Sequence, residues 1–152
     1  MRPFSLADIY RAAERSGATI YTVVPGVRLI GLGEGEEPKK LKALREHLER
    51  SRTGGLTDDW LKTLADRTRA MQLALFGLSK VTGGWIDYLE HPDQAAGIYA
   101  RILSDINRRY VLGFYPSNKT RDGKRRALKI EVRGHPEYTV WGRKSYYAPP
   151  PQ

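Results

Sequence analysis

The segment Ala18-Thr-Ile-Tyr-Thr-Val-Val24 constrains the fold more than any other part of the chain. Its apolar residues fall on both alternating sets, Ile20 and Val24 on one and Tyr21 and Val23 on the other. A strand apolar on both faces belongs in a parallel sheet covered by helices on each side, because a half-solvated strand alternates instead. Pro25-Gly26 is expected to break it. Just upstream, Ser5 caps a helix with Asp8 three residues on, and Ser16-Gly17 stops it. Leu6, Ile9, Ala13 and Tyr10 form the predicted apolar face of that helix.

The rest of the chain continues in the α/β manner. Gly31-Leu-Gly-Glu-Gly-Glu-Glu37 departs from the dinucleotide fingerprint, because its third glycine comes too early, and no Lys-Ser/Thr follows to make a phosphate loop. It reads as a flexible loop. Pro38 suits the first position of a charged surface helix with one thin apolar line, Leu41, Leu44 and Leu48. Thr53-Gly-Gly-Leu-Thr57 separates it from the longest helical pattern, in which Leu61, Leu64, Thr68, Met71, Leu75 and Leu78 recur at spacings of three and four. Thr57 caps that helix, Asp58 and Asp59 suit its positive end, and Gly83 or Gly84 supplies a left-handed stop.

Trp85 to Leu89 then reads as a short strand. Pro92 and Asp93 open a last helix with an apolar row of Ile98, Ile102 and Ile106, widened by Leu103, and Arg108 and Arg109 in its final turn. From Tyr110 the texture becomes β, with strands predicted over 110–115, 127–133 and 138–147, and Asp122-Gly123 as the best hairpin turn. The tail Ala148-Pro-Pro-Pro-Gln152 reads as extended.

Bulk properties exclude several chemistries. The 152 residues contain no cysteine, which removes disulfides, thiolate metal sites and cysteine nucleophiles. The N-terminus has no apolar core of the signal-peptide kind, and no apolar run approaches the roughly 20 residues of a membrane span. The net charge of +9 is uneven. Residues 119–144 hold nine Lys and Arg against few acids, whereas residues 1–37 are near balance.

No constellation supports catalysis. His47, His91 and His135 are isolated surface histidines with no paired spacing, and Ser79 and Ser104 lack a nucleophile elbow. Asp58 and Asp59 point about 100° apart on their helix and do not converge on one atom. The one charged cluster of interest is Lys119, Arg121, Lys124, Arg125 and Arg126 at a hairpin tip, with Tyr110, Phe114 and Tyr115 on the strand leading in. Basic groups beside aromatics grip a phosphate backbone and stack bases. The competing reading is a solvated loop whose aromatics turn into the core.

In their order, the phrases resemble the von Willebrand factor type A family, most closely a subgroup common in secreted acidobacterial proteins. The matching residues are Ile20-Tyr-Thr-Val23, Thr82-Gly-Gly-Trp85, Arg109 to Pro116 with Asn118, Asp122-Gly-Lys124, Leu128 to Val132, and Arg143-Lys-Ser-Tyr-Tyr-Ala-Pro149. They cover most of the chain outside residues 26–56, with Ser145 standing where glycine is usual. The family's metal-ion-dependent adhesion site uses Asp-x-Ser-x-Ser after its first strand, with a Thr and an Asp on later loops. None of these ligands has a counterpart here, so the resemblance implies no metal or other cofactor for this chain.

The resemblance implies an incomplete, Rossmann-like layer of helices and short parallel strands over residues 1–109, carrying a charged helical insertion at about 26–56. An antiparallel β appendage with a basic hairpin and a Pro-rich tail would follow over 110–152. It implies a non-enzymatic scaffold for protein contact, a truncated or split piece whose sheet needs a companion polypeptide or a second copy. It also suggests an extracytoplasmic parent protein. The rival expectation is a basic module that binds nucleic acid or another polyanion through the 119–129 hairpin.

Overall fold

Two phrases far apart in sequence meet as neighbouring strands. A computed structural model describes residues 5–51 and 57–151, so the predicted turn at 53–56 lies outside the described residues. Within them the order is α1 (Leu6–Arg15), β1 (Thr22–Pro25), α2 (Glu36–Ser51), α3 (Asp58–Thr82), β2 (Ile86–Leu89), a short 3-10 turn (Pro92–Gln94), α4 (Ala95–Asn107), β3 (Arg125–Ala127) and β4 (Ser145–Tyr147). The fold is mixed α/β. Strands β1 and β2 pair in parallel from Thr22 opposite Ile86 to Pro25 opposite Leu89. Strands β3 and β4 pair antiparallel from Arg125 opposite Tyr147 to Ala127 opposite Ser145.

Local chemistry sets the start of α1 and both ends of α3 where the sequence places them. Ser5 and Asp8 form a reciprocal capping box on α1, Thr57 caps α3, and Gly83 ends α3 at φ 79°, a conformation that favours glycine. At Gly84 the reason is proximity, since a Cβ there would lie 2.0 Å from the Ile20 carbonyl oxygen. α2 begins at Glu36, two residues before Pro38. Proline is tolerated there because the whole first turn lacks intrahelical acceptors for its N–H groups.

Pro25 lies within β1 and does not break it. Thr22 donates its N–H to the Trp85 carbonyl at 3.1 Å and Gly26 to Leu89 at 2.9 Å. The even positions therefore point at β2, and Pro25 falls on the outer edge, where no N–H is required. The strand is also shorter than the predicted span. Ile20 N–H goes to Thr82 Oγ1 at 3.0 Å, and the Ala18 carbonyl accepts from Arg143 at 2.6 Å.

The core gathers Leu29, Leu44, Leu61 and Ala65, with Val27, Leu41 and Leu48 packed against it. The thin line on α2 is thus a contact line, as predicted. The preceding segment is anchored, in contrast to the free loop expected. Gln72, fully buried on α3, accepts from Leu29 N–H at 2.8 Å and donates to the Val27 carbonyl at 2.9 Å. Other predicted faces shift. On α1, Leu6 and Ile9 are exposed, while Tyr10 donates its hydroxyl to the Ala74 carbonyl at 2.8 Å and Glu14 is buried. Met71 on α3 and Leu103 and Ile106 on α4 are also exposed.

The C-terminal part departs most from expectation. Residues 110–115 form no strand and join no ladder, and the two later strands shrink to three residues each. Asp122-Gly123 does not turn a hairpin, because the partner of β3 lies beyond a long connection. Asp122 instead accepts from Lys124 N–H at 3.0 Å, and Gly123 N–H reaches the Pro149 carbonyl at 3.1 Å.

Candidate interaction surfaces

The five predicted basic contacts do not act together. Arg126 is turned inward on its own loop, donating to the carbonyls of Asn118 and Thr120 (2.6 Å to Thr120) and to Asp122 Oδ1 at 3.3 Å. Arg125 donates from Nε to both oxygens of Glu14, at 3.1 and 3.2 Å. Arg121 reaches the Pro150 carbonyl at 3.3 Å. Lys119 and Lys124 are exposed, with no hydrogen bond or ion pair to their side chains among the described residues. Three of the five therefore shape the loop and fasten it.

The fastening point is Glu14, which no pattern in the sequence singles out. Its side chain is only 5% exposed, and besides Arg125 it accepts the hydroxyl of buried Ser145. Arg143 adds a bond to the Glu14 carbonyl at 2.7 Å. The pair β3–β4 is thus held to α1 by one carboxylate and two arginines. The available signal was position, since Glu14 follows Tyr10 by one turn and shares its inward face.

Two polar locks sit at the two ends of the parallel pair. Beyond the strands' C-terminal ends, Glu90 takes Lys40 Nζ at 2.6 and 2.7 Å and Arg28 N–H at 2.9 Å. Burial alone would raise its pKa, but those hydrogen bonds and the two cations outweigh burial and lower it. At the other end Asp105 accepts from the Tyr21 hydroxyl and from Arg109, whose guanidinium also reaches Thr19 Oγ1 at 2.7 Å and the Gly83 carbonyl at 2.8 Å. Burial, then the bond to Asp105, pushes Tyr21 up to about 12. Arg109 thus follows α4 as a cross-brace and is not part of its last turn.

These groups are consumed by structure. Ser79 is buried with its hydroxyl 2.7 Å from Thr22 Oγ1, and Asp58 pairs with Arg45. Among the described residues no group of three or more His, Asp or Glu side chains could hold a metal ion. No helix among them is long and apolar enough to cross a membrane.

What remains open is apolar. Tyr110, Val111 and Tyr115 are 91%, 98% and 99% exposed, and Leu112 and Phe114 are exposed as well. These aromatics therefore do not turn into the core, although Phe114 meets Tyr146 edge-on at 5.3 Å. An open cleft of about 430 Å³ lies between residues 130–133 and 138–140, with Ile130, Val132, Tyr138 and Val140 on its walls. On α4, Tyr99, Leu103 and Ile106 form an outer stripe. No family model, curated protein or solved structure matches this chain.

Proposed function

We propose that the chain is a non-enzymatic protein-interaction scaffold of the von Willebrand A-like kind, without that family's metal site, and that it works by having its open apolar surface covered by another polypeptide. The observation that carries this reading is a parallel sheet with two strands among the described residues, together with a run of exposed large apolar residues at 110–115. Two strands alone are marginal in water, and an exposed apolar patch of this kind marks a site of association. The ordered phrases of the sequence support the family likeness. So does the parallel pairing of the Ile-Tyr-Thr-Val strand with the strand after Thr-Gly-Gly. The missing Asp-x-Ser-x-Ser removes the metal chemistry.

The reading is tested by apolar-dye binding together with thermal unfolding of the isolated chain. Dye binding and a broad or concentration-dependent transition are expected. A monomer that binds no dye and unfolds in one sharp step, at the same temperature across concentrations, overturns it.

A further inference from the structure

The two edges of the parallel sheet are not equivalent. The outer edge of β1 carries Pro25, which offers no N–H to a new strand. The outer edge of β2 has no such block. Among the described residues its Tyr88 N–H is met by the neighbouring Asp87 carboxylate at 2.9 Å, which also pairs with Arg101 at 3.1 Å, and by no strand. α4 packs beside β2 and leaves Tyr99, Leu103 and Ile106 exposed at spacings of four and three. An extended apolar segment is the natural complement to such an edge, since backbone hydrogen bonds give affinity and alternate side chains fill the neighbouring surface.

Residues Tyr110–Tyr115 suit that role: six uncharged residues, exposed, in no helix and outside any ladder. Drawn out at about 3.3 Å per residue they would span roughly 20 Å, enough to run the length of β2. Their own β2 is not where they lie. Arg109 is braced to Asp105, Thr19 and Gly83, and Phe114 is seated on Tyr146 of β4. A second copy of the chain needs neither contact broken.

Resting on the scaffold reading above, we infer that the occupant of the β2 edge is the 110–115 segment of a second copy, exchanged reciprocally in a two-fold dimer. Area supports the choice. The two open tyrosines of one segment offer on the order of 400 Å². Two segments with the surface they cover approach roughly 1,600 Å², within the range of stable interfaces. Charge gives a signature. Two chains of +9 repel, so added salt strengthens the dimer, whereas a complex held by attraction to a polyanion weakens with salt.

Sedimentation or light scattering from roughly 1 to 300 µM tests this, at about 0.1 and 0.5 M NaCl, with amide exchange read at 110–115. The dimer is expected to grow with concentration and salt, and its 110–115 amides to be protected. Leu112→Asp is expected to weaken the dimer by at least about tenfold with an unchanged helical spectrum, because Leu112 is exposed in the single copy. Val111→Pro, which removes an unpaired donor, should act alike. A dimer that neither variant weakens overturns the exchange. A monomer with open 110–115 amides also overturns it, while leaving the surface available to a different polypeptide. A monomer with protected amides means that the segment closes on its own β2, which overturns both the exchange and the surface on which the proposed function rests.

Discussion

Residues 5–109 and 110–151 obey the same chemistry with opposite results. The first region closes most of its polar groups on itself: capped helices, Gln72 clamped on the chain at 27–29, Glu90 on Lys40, and Asp105 between Tyr21 and Arg109. The exceptions are the buried Tyr88 hydroxyl, which has no partner among the described residues, and Glu14, which is met from the second region. The second has β-forming composition but places only two strands of three residues in a ladder. A helix satisfies its backbone locally, whereas a strand satisfies it only if another strand comes to it. The difference separates a finished region, with its backbone and most polar side chains satisfied, from one whose strand-forming segments lie largely outside any ladder.

The largest effect should come from the finished region. Gln72→Leu keeps the volume but strips acceptor and donor from Leu29 N–H and the Val27 carbonyl, within a site that excludes water. Unsatisfied buried groups of this kind cost about 1–3 kcal/mol each, so a loss on the order of 3 kcal/mol is expected in denaturant unfolding. Exchange at the Leu29 amide should rise with it. A variant as stable as the parent would mean that the 26–35 segment is not integral to the core, and the contrast between the regions would weaken.

The junction comes next. Glu14→Ala removes the carboxylate that holds Arg125 and Ser145. Breaking a fully buried pair costs about 3–5 kcal/mol, but Arg125 is 56% exposed, so about 1–2 kcal/mol is the fitting scale. The sharper expectation is spatial. Protection should fall in β3 and β4 and stay unchanged in β1 and β2. Equal loss in both pairs would show one cooperative unit instead of a body with a fastened arm. Arg125→Ala should produce the same pattern, so any loss of polyanion binding in that variant must be judged beside its loss of structure.

What the sequence disclosed follows the same division. Ser5, Thr57 and Gly83 were legible because a cap depends on residues within one turn. The parallel pair was legible because apolar residues on both faces of 18–24 leave few alternatives. Glu14 and Gln72 were not, since each looks like a helix surface residue until a partner arrives, and Arg125 arrives from 111 positions away. The strand predicted at 110–115 failed for a related reason. β-propensity describes fitness for a half-buried pleated surface and does not supply the neighbour. Among the predicted site residues, the basic cluster was visible as charge, but which arginines are spent on Glu14 and Asn118 depends on tertiary approach.

The smallest effect is the titration of the polar locks, and it separates the regions by pH. For Glu90 and Asp105 burial acts upward but is outweighed, by Lys40 and Arg28 for Glu90 and by Tyr21, Arg109 and Trp85 for Asp105, so both folded pKa values are lowered. A lowered carboxylate contributes stability above its unfolded value near about 4, and that stability is lost as pH falls through the folded one. Tyr21 is raised from 10.0 to about 12, so its contribution is whole below about 10 and is lost as pH rises through about 12. Stability should therefore be flat between about pH 5 and 9 and fall on both sides, by less than about 1 kcal/mol for groups as accessible as these. Tyr21→Phe should reduce the alkaline limb, to which Tyr88 also contributes because burial raises it, and should shrink the share of the acid limb that comes from Asp105 while leaving that of Glu90. An alkaline loss left at full size by this substitution, with the acid limb also unchanged, would assign the alkaline loss to Tyr88 or another of the nine tyrosines and remove the Tyr21–Asp105 lock from the account of the finished region.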